Sequence, residues 1–215
     1  MTDIEIRKNI IDKVCQFKTS QLSVGKSGNI SARFKDGFLI TPTGFQYEAL
    51  AIEDICYCDF SGNNLEGDWL PSTEWQIHAD IYQQHENVKA IVHCHSPYAT
   101  ALACCRKDIP AFHYMVAVAG GESIPCTEYA TFGTSELSKN VNEILIDRNA
   151  CLMANHGQIT TGESVDAAFS LAEEVESLAK QYCISIQIGD PILLDDNEMQ
   201  LNLEKFKTYG KQQGK

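Results

Sequence analysis

Between Val165 and Tyr182, the apolar residues Val165, Ala168, Phe169, Ala172, Val175, Leu178, Ala179 and Tyr182 recur at three- and four-residue intervals. That spacing predicts an α-helix with one continuous apolar side. A stripe of this length must be covered by another layer, so the segment packs against a core. It is a packing surface and needs no cofactor to explain it. Upstream, residues 3–20 carry Ile6, Ile10, Val14 and Phe17 at helical spacing, followed by a Gly- and Ser-containing loop. Asn29 to Phe34 and Gly37 to Thr41 are short β-prone runs joined through Lys35-Asp36-Gly37, which has hairpin turn chemistry. A strand is expected from Ile55 to Phe60, with a turn at Ser61-Gly62-Asn63-Asn64. After Pro71-Ser72-Thr73, residues Glu74 to Gln84 read as a helix capped by Ser72 or Thr73, with Trp75, Ile77, His78, Ile81 and Tyr82 at mostly helical intervals. Val88 to His95 is a buried strand, a short helix follows Pro97, and Thr134 or Ser135 caps a helix to about Ile146. Ala150 to Ala154 is a further strand ending at Asn155-His156-Gly157. A polar C-terminal segment follows Gly189-Asp190-Pro191, anchored by Leu203, Phe206 and Tyr209. No repeat or linker divides the chain, so residues 1–215 are expected to form a single domain.

A formal net charge of −12 sets the average surface against phosphodiester backbones and anionic lipid. Neither nucleic acid nor membrane is expected as a partner, and no apolar run reaches the length of a bilayer span. A local phosphate site remains compatible with this charge, because backbone N–H groups and one lysine hold an anion at short range. The nine cysteines are an odd count, and the start Met1-Thr2-Asp3-Ile4-Glu5 has no signal-peptide core. A reduced, cytoplasmic protein is expected. Cys56/Cys58 and Cys104/Cys105 lack the spacing of a structural zinc site and are explained by packing.

His93-Cys94-His95 closes an apolar strand, and alternation turns both imidazoles to one side and Cys94 to the other. Taken alone, such a pair is more often a hydrogen-bonded feature than a ligand pair. The balance changes because His156 sits at an equivalent strand end and Glu74 opens a helix after a Pro-Ser-Thr turn. Three imidazoles and a carboxylate suit zinc with an open position. For Glu74 alone, the alternative is a carboxylate favoured by a helix N-terminus. Three loops, Gly25-Lys26-Ser27-Gly28-Asn29, Thr41-Pro42-Thr43-Gly44 and Ser72-Thr73, are rich in hydroxyls, glycine and amides that can hold phosphate. None has P-loop spacing, and each by itself reads as a turn.

These residues resemble the class II aldolase/adducin-like family. The likeness runs through Gly28-Asn29-Ile30-Ser31, Leu39-Ile40-Thr41-Pro42-Thr43-Gly44, Pro71-Ser72-Thr73-Glu74-Trp75, Val92-His93-Cys94-His95 and His113-Tyr114-Met115. It continues through Ala119-Gly120-Gly121, Tyr129 to Thr134, His156-Gly157 and Lys205 to Gly210, covering essentially the whole chain. The resemblance implies an α/β domain, three-layer α/β/α, with a central, largely antiparallel mixed sheet, and a cyclic homotetramer with active sites between subunits. It implies one Zn2+ per subunit on His93, His95 and His156, with Glu74 as displaceable ligand and acid/base. Asn29, Thr43, Gly44, Ser72 and Thr73 match phosphate-holding positions. Tyr114 matches a catalytic tyrosine delivered by the neighbouring subunit, and Tyr209 is a further catalytic candidate in the C-terminal run. Thr73 departs from the serine of the family pattern but keeps a hydroxyl and an amide.

The implied activity is cleavage of a small phosphorylated sugar to dihydroxyacetone phosphate and an aldehyde. L-fuculose 1-phosphate, giving L-lactaldehyde, is the first expected substrate. The alternatives are 5-deoxy- or methylthio-ribulose 1-phosphate, L-rhamnulose 1-phosphate, or a same-fold epimerase or dehydratase. Cleavage leaves charge on the dihydroxyacetone phosphate half, which calls for a Lewis acid, with Glu74 moving the C3 proton and Tyr114 the C4 oxygen proton. A non-catalytic adducin-like module would not need the histidines and Glu74. A structural zinc protein would have a closed site.

Overall fold

The hairpin expected around Asp36 forms, and the sheet extends from both of its strands. In the computed structural model, which describes residues 2–208, β1 (Asn29–Phe34) pairs antiparallel with β2 (Gly37–Ile40). Lys35 turns the chain with a left-handed φ of 47°. β2 pairs with β3 (Cys56–Asp59), which pairs with β4 (Asn64–Glu66). On the other side β1 pairs with β5 (Ala90–Cys94), and β5 with the second strand of a hairpin formed by β6 (Ala150–Met153) and β7 (Gly157–Gly162). The order is β4-β3-β2-β1-β5-β7-β6, and every pairing of these strands is antiparallel. Among the described residues, the one parallel pairing is an isolated bridge between Cys126 and Leu152.

Side-chain alternation divides the core into the layers of an α/β/α sandwich. Along β5, Ala90, Val92 and Cys94 pack with Ile10 and Val14 of α1 (Asp3–Gln16) and Phe169 and Ala172 of α5 (Val165–Ile188). Ile91 faces the other way, into a cluster with Ile77 and Ile81 of α2 (Trp75–Gln84) and Leu137 and Val141 of α4 (Ser135–Leu145). A third cluster joins α3 (Pro97–Cys104), α6 (Asp196–Phe206) and the later turns of α5 over Leu152. Each fully buried Ile, Leu or Phe contributes about 1.5–3 kcal/mol relative to exposure, so the strand ends are anchored from both faces. His93 shares the parity of Ile91 and therefore lies on the α2 side.

Several boundaries differ from the sequence expectation. α1 stops at Gln16 rather than at residue 20, because Gln21 adopts φ 57° and Leu22 folds into the core. The expected Ser72 or Thr73 cap of α2 is not made: Glu74 occupies the N-cap position without a side-chain cap bond. Ser72 instead engages Asn29, and its Oγ also accepts from the Glu74 N–H at 3.3 Å. β4 and β7 were not expected, and the C-terminal polar segment forms a true helix, α6, capped by Asp195 at 2.9 Å. Thr134 rather than Ser135 caps α4. Among the described residues no helix is long and apolar enough to cross a membrane.

Candidate metal centre and phosphate cavity

Two strand ends and one hairpin turn bring the three histidines together. β5 ends at Cys94, so His93 and His95 leave it on the same side, and Cys94 is fully buried on the other. In the β6–β7 hairpin, Met153 pairs with Gly157, and Asn155 turns the chain with φ 55°. A Cβ at Gly157 would meet the Cys94 carbonyl at 2.4 Å and the His95 ring at 2.9 Å. Only glycine lets this turn press onto the end of β5, and the turn carries His156 to the pair. The ring centroids form a near-equilateral triangle of 4.9, 4.8 and 4.9 Å.

The nitrogens point inward. His93 Nδ1 lies 2.8 Å from the Gln158 carbonyl, which only accepts, so Nδ1 carries the hydrogen and Nε2 turns its lone pair to the centre. His93 Nε2 is 3.1 Å from His95 Nε2, and the ligand atoms of all three histidines lie within 4.8 Å of one another. Glu74 completes the ring from the start of α2: Oε2 is 3.0 Å from His93 Nε2 and Oε1 is 3.2 Å from His156 Nε2. Oε1 is buried and has no hydrogen-bond partner among the described residues. Burial, then the neighbouring His93, holds His95 down to about 3 and His156 down to about 4, so both imidazoles are neutral near pH 7. At His93, burial opposes the charged form, but the Glu74 carboxylate outweighs it and raises the pKa. Burial likewise pushes the Glu74 carboxyl up, yet His93, His156 and His78 outweigh it and hold the group below the usual carboxylate range. Three convergent imidazoles beside an orphaned, ionised carboxylate oxygen fit a divalent cation, and that nitrogen–oxygen donor set suits zinc.

A second set of groups borders this centre. The Thr41–Gly44 loop leaving β2 and the segment entering α2 are stitched together, with Thr43 N donating to Leu70 O at 3.0 Å and Ser72 N to Thr41 O at 3.1 Å. Lys26 Nζ donates to Gly44 O at 2.7 Å, tying in the glycine loop before β1. Gly28 has φ +92°, and a Cβ there would meet the His93 carbonyl at 2.7 Å and the Phe17 ring at 2.9 Å. The close approach sets Asn29, whose Nδ2 donates to Ser72 Oγ at 3.0 Å and to Glu74 Oε2 at 3.2 Å. Together these loops enclose a cavity of about 340 Å³ lined by His95, His156 and Glu74 as well as by Thr43, Gly44 and Thr73. The hydroxyls, the N–H groups opening α2 and Lys26 equip it for an anion.

Asn29, Thr43, Gly44, Ser72, Thr73, Glu74, His95 and His156 all line this one cavity, and His93 lies beside it. Tyr114 does not line it. It opens a 3-10 turn over Tyr114–Ala119, is 48% exposed, and stacks on His113 at 4.8 Å and on Phe206 at 6.5 Å. Tyr209 lies outside the described residues. Sequence reasoning assigned no role to Tyr129, Phe132 or Asn155, which form the remaining wall. Asn155 could have been found, since Asn before His-Gly suits a left-handed turn. Tyr129 and Phe132 carry no periodic signal.

Residues 9–183 match the family described as Class II Aldolase and Adducin N-terminal domain. A 5-methylthioribulose-1-phosphate/5-deoxyribulose-1-phosphate aldolase of Rhodospirillum rubrum is 48% identical over 96% of this chain and 93% of its own length. An L-fuculose phosphate aldolase of Escherichia coli K12 is 45% identical over 96% of each. A solved structure of an L-fuculose 1-phosphate aldolase superposes with a TM-score of 0.91 at 40% identity, covering 94% of this chain and 96% of that one.

Proposed function

Since the chain belongs to the class II aldolase and adducin family and is a class II sugar-phosphate aldolase, we propose that it uses zinc, one ion per subunit, to cleave a deoxy-ketose 1-phosphate reversibly between C3 and C4. The products are dihydroxyacetone phosphate and a short aldehyde. The observation that carries this reading is the convergence of His93, His95, His156 and Glu74 beside an anion-ready cavity of about 340 Å³. A divalent ion on the three imidazoles supplies Lewis-acid stabilisation of the charge that develops on the dihydroxyacetone phosphate half.

The chain's own residues do the rest. Asn29, Thr43, Gly44, Ser72 and Thr73 hold the phosphate, and that grip fixes the carbon chain over the histidines. Bond cleavage leaves an electron pair on C3 and requires loss of the C4 hydroxyl proton. Glu74 is the group that moves the C3 proton: it is buried, and its Oε1, 3.2 Å from His156 Nε2, has no hydrogen-bond partner among the described residues. The C4 oxygen proton goes to Tyr114 of a neighbouring subunit, which fits a tyrosine that is half exposed and outside its own chain's cavity. Tyr209 is a further catalytic candidate. A shared site requires an oligomer, and the family resemblance supports a homotetramer of single-domain chains. All nine cysteines are free thiols, which suits a reducing cytoplasm.

Two substrate classes divide the reading. L-fuculose 1-phosphate would yield L-lactaldehyde and place the enzyme in fucose breakdown, whereas 5-deoxy- or 5-methylthio-ribulose 1-phosphate would yield a two-carbon aldehyde or its methylthio derivative. The names of the two relatives favour these alternatives equally. The zinc-loaded protein is to be incubated with all three sugars and dihydroxyacetone phosphate release followed with a coupled reporter enzyme. Release from at least one is expected, with the preferred sugar giving the highest kcat/KM. No release from any of them would overturn the assignment.

A further inference from the structure

Behind the cavity, between β1 and α2, three polar groups that the chemistry above does not use, Tyr82, Ser31 and His78, lead to the Asn29 amide. Tyr82 OH is 2.7 Å from Ser31 Oγ, Ser31 Oγ is 2.6 Å from His78 Nδ1, and His78 Nε2 is 2.6 Å from Asn29 Oδ1. Ser31 and His78 are wholly buried, and Tyr82 and Asn29 are 1% and 2% exposed, so water does not substitute for these bonds. Four polar side chains in contact inside a core are costly unless each is matched donor to acceptor.

The matching has one solution. Glu74 Oε2 is a carboxylate oxygen in the acceptor position, 3.2 Å from the Asn29 amide, so the NH2 end of that amide faces it. The Asn29 carbonyl oxygen then faces His78 Nε2, which must carry the hydrogen. Burial holds His78 neutral, with its pKa down to about 3. Its Nδ1 is therefore the acceptor, the Ser31 hydroxyl donates to it, and the Tyr82 hydroxyl donates to Ser31. The bonds all run one way, Tyr82 to Ser31 to His78 to Asn29. At Asn29 the line forks to Glu74 and to Ser72 Oγ, 3.0 Å away. Ser72 Oγ also accepts from the Glu74 N–H, which fills its two lone pairs and leaves its hydroxyl hydrogen for the cavity.

We propose that His78 is a positioning residue: the one-way hydrogen-bond line through Ser31 and His78 locks the Asn29 amide, and the locked amide aims both the Glu74 carboxylate and the Ser72 hydroxyl. The inference rests on the roles given above to Glu74 and Ser72. A His78 that merely fills space would be replaceable by an apolar side chain of similar size. A positioning His78 is replaced better by glutamine, whose amide can both accept from Ser31 and donate to Asn29.

Two measurements decide. The first needs neither a variant nor turnover: long-range 1H–15N correlation spectra of the wild-type imidazoles, with His78 assigned by its loss in His78→Gln. A neutral ring with hydrogen on Nε2 is expected, and a ring with hydrogen on Nδ1, or on both nitrogens, would overturn the proposal. The second compares His78→Leu with His78→Gln on folded, zinc-loaded protein. His78→Leu should lower kcat by about 10- to 100-fold, the usual range for residues that orient a metal ligand, and raise KM for the phosphorylated sugar, with His78→Gln recovering most of both. Zinc affinity, read by competition with a chromophoric chelator, should weaken in His78→Leu and recover in His78→Gln. Equal kinetics and equal zinc affinity in the two variants would make His78 a packing residue. If His78→Leu does not fold, Ser31→Ala, which removes the donor to Nδ1, takes its place with the same expected loss, and wild-type behaviour in Ser31→Ala would overturn the proposal. Failure of the aldolase reading itself would appear separately, as an absence of cleavage in wild type, and the tautomer measurement stands apart from that result.

Discussion

At the scale of single residues, the two duties proposed for Glu74 can be separated by mutation. Its carboxylate lies within 3.0 and 3.2 Å of His93 and His156, but the imidazoles converge without it. Glu74→Gln should therefore keep its zinc, measured by elemental analysis, while kcat falls by roughly two to four orders of magnitude, the usual size of a general acid–base contribution. Near-wild-type turnover with intact zinc would remove the proton-transfer role. His78 offers a test by pH. Its pKa is held down to about 3 in the folded protein, against an ordinary value of 6.5, by burial and then by His93. Between those values the unfolded chain binds the proton and the folded chain does not, so stability falls as pH is lowered from 6.5 toward 3. One such group contributes a slope of up to ~1.4 kcal/mol per pH unit. In urea titrations of metal-free protein, His78→Gln should lose stability less steeply than wild type across that window, while His95 and His156, present in both, cancel. Parallel curves would show that His78 is protonated in the folded state.

At the scale of elements, the site depends on how closely the loop before β1 approaches the end of β5. Gly28 and Gly25 both have left-handed φ, +92° and +71°, but a Cβ at Gly28 collides with the His93 carbonyl, whereas among the described residues nothing lies within 4 Å of one at Gly25. Backbone strain alone costs about 1–3 kcal/mol at either position. Gly28→Ala should lose more stability than Gly25→Ala, and only Gly28→Ala should also weaken zinc binding, since it displaces the strand end that holds His93. Equal effects would mean that the loop position is not coupled to the metal centre. The same elements show what was legible beforehand. Val88–His95 and the α5 stripe announced themselves through hydrophobic pattern, and the parity of His93 and His95 followed from strand geometry alone. β7 escaped because Gly157-Gln-Ile-Thr-Thr-Gly is flanked by glycines and is largely polar: the Gln158 amide nitrogen and the Thr160 hydroxyl donate inside the core to α5 carbonyls at 3.2 and 2.8 Å. The α2 cap was misassigned because Ser72 is engaged by Asn29, a residue 43 positions away in the sequence. Local rules do not see that competitor.

At the scale of the whole molecule, the proposed ligand set was legible as residue types at strand ends and the candidate phosphate loops as turn chemistry, but their convergence needed the fold. The tyrosines are a matter of assembly. If Tyr114 serves a neighbouring site, Tyr114→Phe should depress C–C cleavage far more than deuterium exchange into dihydroxyacetone phosphate, because exchange at C3 needs Glu74 but no group at the aldehyde oxygen. Mixing inactive His93→Ala with Tyr114→Phe under subunit exchange should then restore part of the activity, whereas equal loss of both reactions in Tyr114→Phe would make the tyrosine structural. All of this presupposes metal-dependent cleavage at the three histidines. The direct measurement is release of dihydroxyacetone phosphate from the preferred ketose 1-phosphate by protein stripped with a chelator and then titrated with zinc. Activity should vanish on stripping and return to a plateau at one zinc per chain, with no recovery in His93→Ala. Full turnover by verified metal-free protein would contradict the account.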